Sequence, residues 1–275
     1  MDTIDENNSL NEKSSDNKIS LIKILYLWQE NNNKFNSRSK ILRTIDKNIK
    51  LNVLTTYHGN KEILLKPRYI TTDPFKNDES LIVMCDIFGS NGTNLNSDKR
   101  IDLVKKIETY KDIIIETEPK CSFIIKITLT DDLTDVKKND IIETFVNVAI
   151  KGKVNINQYY FENKNTVIFE NEFNDYINCA DELTFFKYVL FRTSNILNFN
   201  YKLEDSFTYK LLNKNSNKEG GLEELKALSD KLNKINVIIP ESIERIGYGY
   251  LLDNTYTNDI CIYHNFSQIL DSLYK

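Results

Sequence analysis

The 275-residue chain is long enough for one large domain or two ordinary ones, with a substantial core. Its 40% hydrophobic and 28% charged residues suit a globular protein, and a formal net charge of −4 argues against a general nucleic-acid binder, which shows a basic excess. No apolar run approaches the roughly 20 residues of a membrane span and the first residues are polar and acidic, so no membrane association is expected and a cytoplasmic location is.

Residues 1–17 (MDTIDENNSLNEKSSDN) are polar and aperiodic and read as a disordered tail. Leu21–Trp28 reads as a strand, followed by the turn-like cluster Asn31 to Asn33 and a second strand over Ser37–Ile45. Leu51–Tyr57 and Ile63–Leu65 are two further strand candidates, and Ser80–Ile87 (SLIVMCDI) is a near-continuous apolar run of buried-strand length. The pattern then changes near residue 95. Asp98–Tyr110 has near-helical apolar spacing, Ser122–Leu129 reads as a strand, and Asp140–Ile150 gathers Ile141, Phe145, Val148 and Ala149 on one helical face. Val154–Tyr160 and Thr166–Phe169 follow as strands, and Asp181–Leu197 is the clearest helix. Gly221–Leu232 carries a leucine stripe; Val237–Ile239, Gly249–Leu252 and a last helix from about Asn265 complete the order. Strands and helices mix without strict alternation, which predicts an α+β fold.

Chemical signals are sparse. Gly89 to Gly92, Gly220-Gly221 and Gly247 to Gly249 lack the spacing of a phosphate loop and read as turns or caps. His58 and His264 stand alone, and Cys85, Cys121, Cys179 and Cys261 form no CxxC pair, so the cysteines read as small core residues. The acidic clusters Glu116 to Glu118, Asp131-Asp132 and Glu223-Glu224 read as solvated surface. The aromatic runs Tyr159-Tyr160-Phe161 and Phe185-Phe186 read as core packing. The bias toward Asn, Ile, Lys, Asp and Tyr fits an AT-rich genome, such as that of a large DNA virus or a protist.

Several short segments, in order, carry more. Tyr26-Leu27-Trp28 followed by Arg38 to Thr44, then Asp73-Pro74-Phe75 followed by Leu81 to Asp86, then Ser122 to Leu129 (SFIIKITL), form the first three. Ala180-Asp181-Glu182-Leu183, Lys218 to Leu232, and Gly249 to Asp253 with Asn258, Asp259 and Tyr263 form the rest. Together they resemble the glutamine synthetase family over about residues 21 to 270. The resemblance implies an N-terminal β-grasp module (18–97) and a larger catalytic-type α+β domain (98–275).

The same resemblance implies that the reaction's ligands are gone. Phosphoryl transfer from ATP to glutamate needs divalent cations, and hard cations need carboxylates. The family's metal positions fall on Ile124, Lys126 and Leu252, while Glu162 falls within a residue of a remaining metal glutamate. Family arginine positions fall on Asn233, Ile238 and Asn254, and the β-grasp acidic loop falls on Tyr57 to Asn60, with His58 for the aspartate. Losing one electrostatic stabiliser costs about 3 kcal/mol of barrier. The expectation is therefore a pseudoenzyme without catalytic residues, metal or cofactor, binding an unknown protein partner through its surface. A host-interaction factor of a large DNA virus is a narrower version of the same idea. The competing expectation is an ATP- and Mg²⁺-dependent glutamate–ammonia ligase, or a residual nucleotide or glutamate binder. A monomer, a dimer and a family-type ring all stay open.

Overall fold

A computed structural model describes residues 20–29, 34–44, 51–76, 79–95, 100–112, 114, 120–212, 244–246, 249–254, 266–267 and 270–271. The described elements form a mixed α/β architecture of two sheets and three helices. The predicted Gly221–Leu232 helix and Val237–Ile239 strand, with Asn233, Ile238, Cys261 and His264, lie outside the described residues.

Five strands form the first sheet: β1 (Ser20–Gln29), β2 (Phe35–Thr44), β3 (Leu54–His58), β4 (Lys61–Thr72) and β5 (Leu81–Gly89). Their order is β2-β1-β5-β4-β3. β1 and β5 run parallel at the centre, and the other neighbours are antiparallel. Alternation sorts the central strands onto two faces. Ile22, Ile24, Tyr26, Trp28, Val83, Cys85 and Ile87 pack with Ile63 and Leu65 on one side. Leu27, Ile82 and Met84 face the other side and join the main core.

The second sheet is wholly antiparallel. It contains β6 (Lys120–Leu129), β7 (Ile156–Asn163), β8 (Thr166–Asn171), β9 (Tyr201–Leu212), β10 (Glu244–Ile246) and β11 (Gly249–Asn254) in the order β10-β11-β9-β6-β8-β7. Helix α1 (Arg100–Thr109) precedes it, α2 (Asp135–Lys151) joins β6 to β7, and α3 (Tyr176–Leu197) joins β8 to β9. The run β6-α2-β7-β8-α3-β9 with inner order β9-β6-β8-β7 is the split β-α-β-β-α-β arrangement, extended by the β10-β11 pair.

Caps start the two long helices ahead of the predicted positions. The Thr134 hydroxyl accepts from the Lys137 amide, and an Asp175 carboxylate oxygen accepts from the Asn178 amide at 2.9 Å. Asn198, in the left-handed region at φ 51°, ends α3. Fourteen of the 22 residues of α3 are buried, so this helix is covered on nearly every side. One side packs Phe186 against Phe123, Phe145 and Phe169 above the second sheet. The other packs Phe185 and Tyr188 against Tyr69, Phe35 and Phe75 of the first sheet region. The last carbonyls of α2, which have no partner within the helix, are met by β4: Thr71 donates to the Gly152 carbonyl at 2.5 Å and Thr72 to the Lys151 carbonyl at 2.9 Å. The helical residues Phe266, Ser267, Leu270 and Asp271 dock on the same body, with Tyr176 and Phe266 stacked at 5.0 Å and Lys106 paired with Asp271.

Two expectations need correction. Of the aromatic run read as core, Tyr159 stacks on Phe169 at 5.7 Å, but Tyr160 and Phe161 are 46% and 44% exposed. The β7–β8 register shifts on both sides of them, and β7 is the last strand of its sheet among the described residues, so neither side chain meets a covering layer there. Residues Tyr201–Leu212 form a full strand where no element was expected. Phe185, Phe186 and the free cysteines Cys85, Cys121 and Cys179 are buried, as expected of them. No described helix is long and apolar enough to cross a membrane.

Candidate functional site

Two of the positions singled out for metal ligands, Ile124 and Lys126, lie on β6. Its odd residues Cys121, Phe123, Ile125, Ile127 and Leu129 are buried toward the helices, so the pleat turns Ile124, Lys126 and Thr128 to the outer face. The register places Ile124 between Glu170 of β8 and Ser206 of β9, and Lys126 between Ile168 and Glu204. Lys126 reaches across β8, and its ammonium lies 2.7 Å from Glu162 on β7. The Glu162 hydrogen bond, with the Glu162 and Glu204 charges, holds that ammonium above its ordinary range despite some desolvation. Around it, Gln158 donates to Glu170 at 2.7 Å, and Thr128 meets Thr166 at 3.2 Å.

The structure thus brings Lys126 and Glu162 together and sets Ile124 beside them on the same face. Leu252 and Asn254 lie on β11, opposite Tyr209 and Phe207 of β9; Tyr209 in turn is opposite Cys121 and Phe207 opposite Phe123. Their register positions therefore match the odd, inward set of β6 and not the set that holds Ile124 and Lys126. His58 is exposed at the β3–β4 turn, where Gly59 takes a φ of +58°. Among the described residues, no three His, Cys, Asp or Glu side chains gather as they would around a metal ion.

A second polar constellation lies at the seam between the sheets. Arg68 sits where the β4–β5 register shifts, Asp86 lies within the buried part of β5, Arg100 opens α1, and Asp181 lies on α3. They form a closed ring of alternating charge. Arg68 is 3.2 Å from Asp86, Arg100 is 3.3 Å from Asp86 and 2.9 Å from Asp181, and Arg68 Nε is 3.8 Å from Asp181. All four side chains are at least 88% removed from solvent, and the ring is neutral. Burial works against the Arg100 charge, but the hydrogen bond and charge of Asp181 outweigh it and raise its pKa. Each charge is satisfied by another in the ring, which is the condition for keeping four of them buried.

The next residue on α3, Glu182, is 4% exposed. Asn155 donates to one carboxyl oxygen at 2.6 Å and Asn171 to the other at 3.3 Å. Asn171 is itself fixed, because its Oδ1 accepts from the Phe123 amide at 2.5 Å. Burial pushes the Glu182 carboxyl up to about 7, although both asparagines pull it down. Burial also pushes the Tyr69 phenol well up, and Glu182 and Asp181 add to that. A carboxyl near 7 would suit a general base. Here both of its oxygens are engaged by amides, so it ties α3 to the second sheet.

Sequence reasoning placed Asp86, Asp181 and Glu182 inside matched segments but gave them no role, and passed over Arg68 and Arg100. The available signal was a carboxylate inside an otherwise apolar buried strand, which demands a cation. No protein-family model matches the chain, and no curated protein matches it.

Proposed function

We propose that the chain is a catalytically inactive, protein-binding or structural protein on a glutamine synthetase-like scaffold. The observation that carries this reading is the Lys126–Glu162 pair at 2.7 Å. A lysine ammonium occupies the place where the resemblance calls for a metal carboxylate, and it neutralises the acidic side chain beside it. A divalent cation there would meet a positive charge and an engaged carboxylate, with Ile124 offering no ligand atom. The parallel β1–β5 pair at the centre of the first sheet supports the β-grasp part of the reading. The buried charge ring supports a structural role, since it joins β4, β5, α1 and α3 in one rigid seam.

The competing reading is an ATP- and Mg²⁺-dependent glutamate–ammonia ligase. Two assays on the full chain separate them: ATP-dependent γ-glutamyl transfer, and thermal stabilisation by ATP with Mg²⁺. The proposal expects neither. Turnover together with a Mg²⁺-dependent rise in Tm would overturn it.

A further inference from the structure

The outer strand of the first sheet combines three features that point to one kind of partner. First, β2 is ten residues long, pairs with β1 in unbroken register, and is the last strand of its sheet among the described residues. Such an edge presents a row of backbone donors and acceptors to whatever lies beside it. Second, six of the seven side chains from Ser37 to Arg43 are exposed, on both faces of the strand, and Ile41 is 67% exposed. Third, the charge there has one sign. Lys23, Lys34, Arg38, Lys40 and Arg43 are all exposed, and the described residues of β1 and β2 include no acidic side chain, in a chain whose net charge is −4.

We propose that the β2 edge binds an acidic extended segment of a partner protein by strand addition. The inference deepens the protein-binding reading above and rests on it. Main-chain hydrogen bonds along the open edge supply the pairing, and the cations select the partner. Arg38 and Lys40 stand on one face about 7 Å apart along the strand. Arg43 lies on the other face, where Lys23 is opposite Ile41 on the neighbouring strand. Carboxylates on either side of an added strand would thus meet a cation, and an apolar side chain would meet Ile41. A second copy of β2 is disfavoured, because antiparallel self-pairing would bring these cations against one another. A single-stranded nucleic acid is the less fitting anion. The exposed side chains from Ser37 to Arg43 include no aromatic ring on which a base could stack.

The test is fluorescence anisotropy of the full chain with a labelled ten-residue peptide alternating glutamate and valine. Binding is expected to weaken with salt and to fall at least about tenfold in the R38E/K40E/R43E variant. Far-UV circular dichroism checks that the variant, altered only at exposed positions, remains folded. A peptide N-methylated at every second amide, with its charges unchanged, should also bind at least about tenfold more weakly. Equal binding of that peptide would overturn strand addition. Binding of a dT10 oligonucleotide with none of the acidic peptide would overturn it in favour of a nucleic acid, and concentration-dependent dimerisation with no peptide binding would overturn it in favour of a second copy. A chain that made γ-glutamyl product yet captured the peptide would sink the inactive-scaffold reading and leave this one standing.

Discussion

Arg100 grips Asp181 through three hydrogen bonds: Nε reaches both carboxylate oxygens, at 3.0 and 3.2 Å, and Nη2 reaches Oδ2 at 2.9 Å. The pair joins the start of α1 to the second turn of α3 and is 81 residues apart in sequence. Removing one partner of such a buried pair leaves an uncompensated charge, which costs about 3–5 kcal/mol. Asp181→Ala should therefore lower the unfolding free energy by roughly that amount, because it leaves Arg100 and Arg68 to share the single charge of Asp86. Arg100→Ala/Asp181→Ala should cost less than the sum of the single changes, with a coupling of about 0.5–3 kcal/mol. Urea denaturation of the four proteins checks this, and strict additivity would refute the ring as a unit.

Glu182 makes stability depend on pH in a direction opposite to that of most carboxylates. Its folded value of about 7 lies above the ordinary 4.5. The folded state therefore holds a proton that the unfolded state releases in between. The contribution to stability is complete below about 4.5, falls as pH rises from there to about 7, and is then constant. Each pH unit in that window is worth about 1.4 kcal/mol, so the loss is on the order of 3 kcal/mol. Glu182→Gln should remove it. The amide keeps an oxygen for the fixed Asn171, and a 180° rotation of the Asn155 amide offers an acceptor to the new NH2. The difference between the two proteins' unfolding free energies at pH 5 and at pH 7.5 isolates the effect. An unchanged difference would show that Glu182 is ionised across the range.

How much of this was legible can be judged from particular residues. SLIVMCDI announced β5 because an apolar run of strand length has few other readings, and the stripe Leu183, Phe186, Leu190 announced α3. The helix starts were missed by about five residues, although Thr134 and Asp175 carry the side chains that cap helices. β4 was read only over Ile63–Leu65, because Pro67 punctuates a strand pattern. The fold keeps the proline where the register shifts and continues to Thr72. β9 escapes notice because Lys202, Glu204 and Asp205 make its start polar, although Tyr201 and Leu203 alternate with the exposed Lys202 and Glu204. The outward position of Ile124 and Lys126 follows from simple alternation on β6. The ring of Arg68, Asp86, Arg100 and Asp181 does not follow from any local pattern, since its members come from four elements that only the tertiary fold brings together.

Gly152 ends α2 at a place where a methyl group does not fit. Its φ is −76°, so no backbone strain enters. A Cβ there would lie 2.8 Å from Phe185 Cε1 and 3.3 Å from the Ala149 carbonyl oxygen. The ring cannot yield freely, because Phe185 is fully buried and packs on Tyr69 and Tyr188. Gly152→Ala should lower stability by about 1–3 kcal/mol, the ordinary cost of overfilling a packed core. Phe185→Leu in the same chain should recover part of that loss, so the two changes should cost less together than separately. Thermal unfolding of the singles and the double provides the check, and a neutral Gly152→Ala would show that the α2–α3 contact is loose.

The inactive-scaffold reading makes a constructive prediction on the outer face of the second sheet. Ile124→Glu/Lys126→Glu would put two carboxylates on β6, two residues apart on one face, and would release Glu162 from its partner. Glu170 beside position 124 and Glu204 beside position 126 would add to the negative charge. Without metal the variant should be less stable than the parent, because like charges on neighbouring strands repel. Millimolar MnCl2 or MgCl2 should then raise its Tm by binding the folded state, while leaving the parent unmoved. NaCl matched in ionic strength controls for simple screening. A Tm that responds equally to NaCl would mean that positions 124, 126 and 162 do not converge on a cation, and the loss of a metal site could then no longer explain this face.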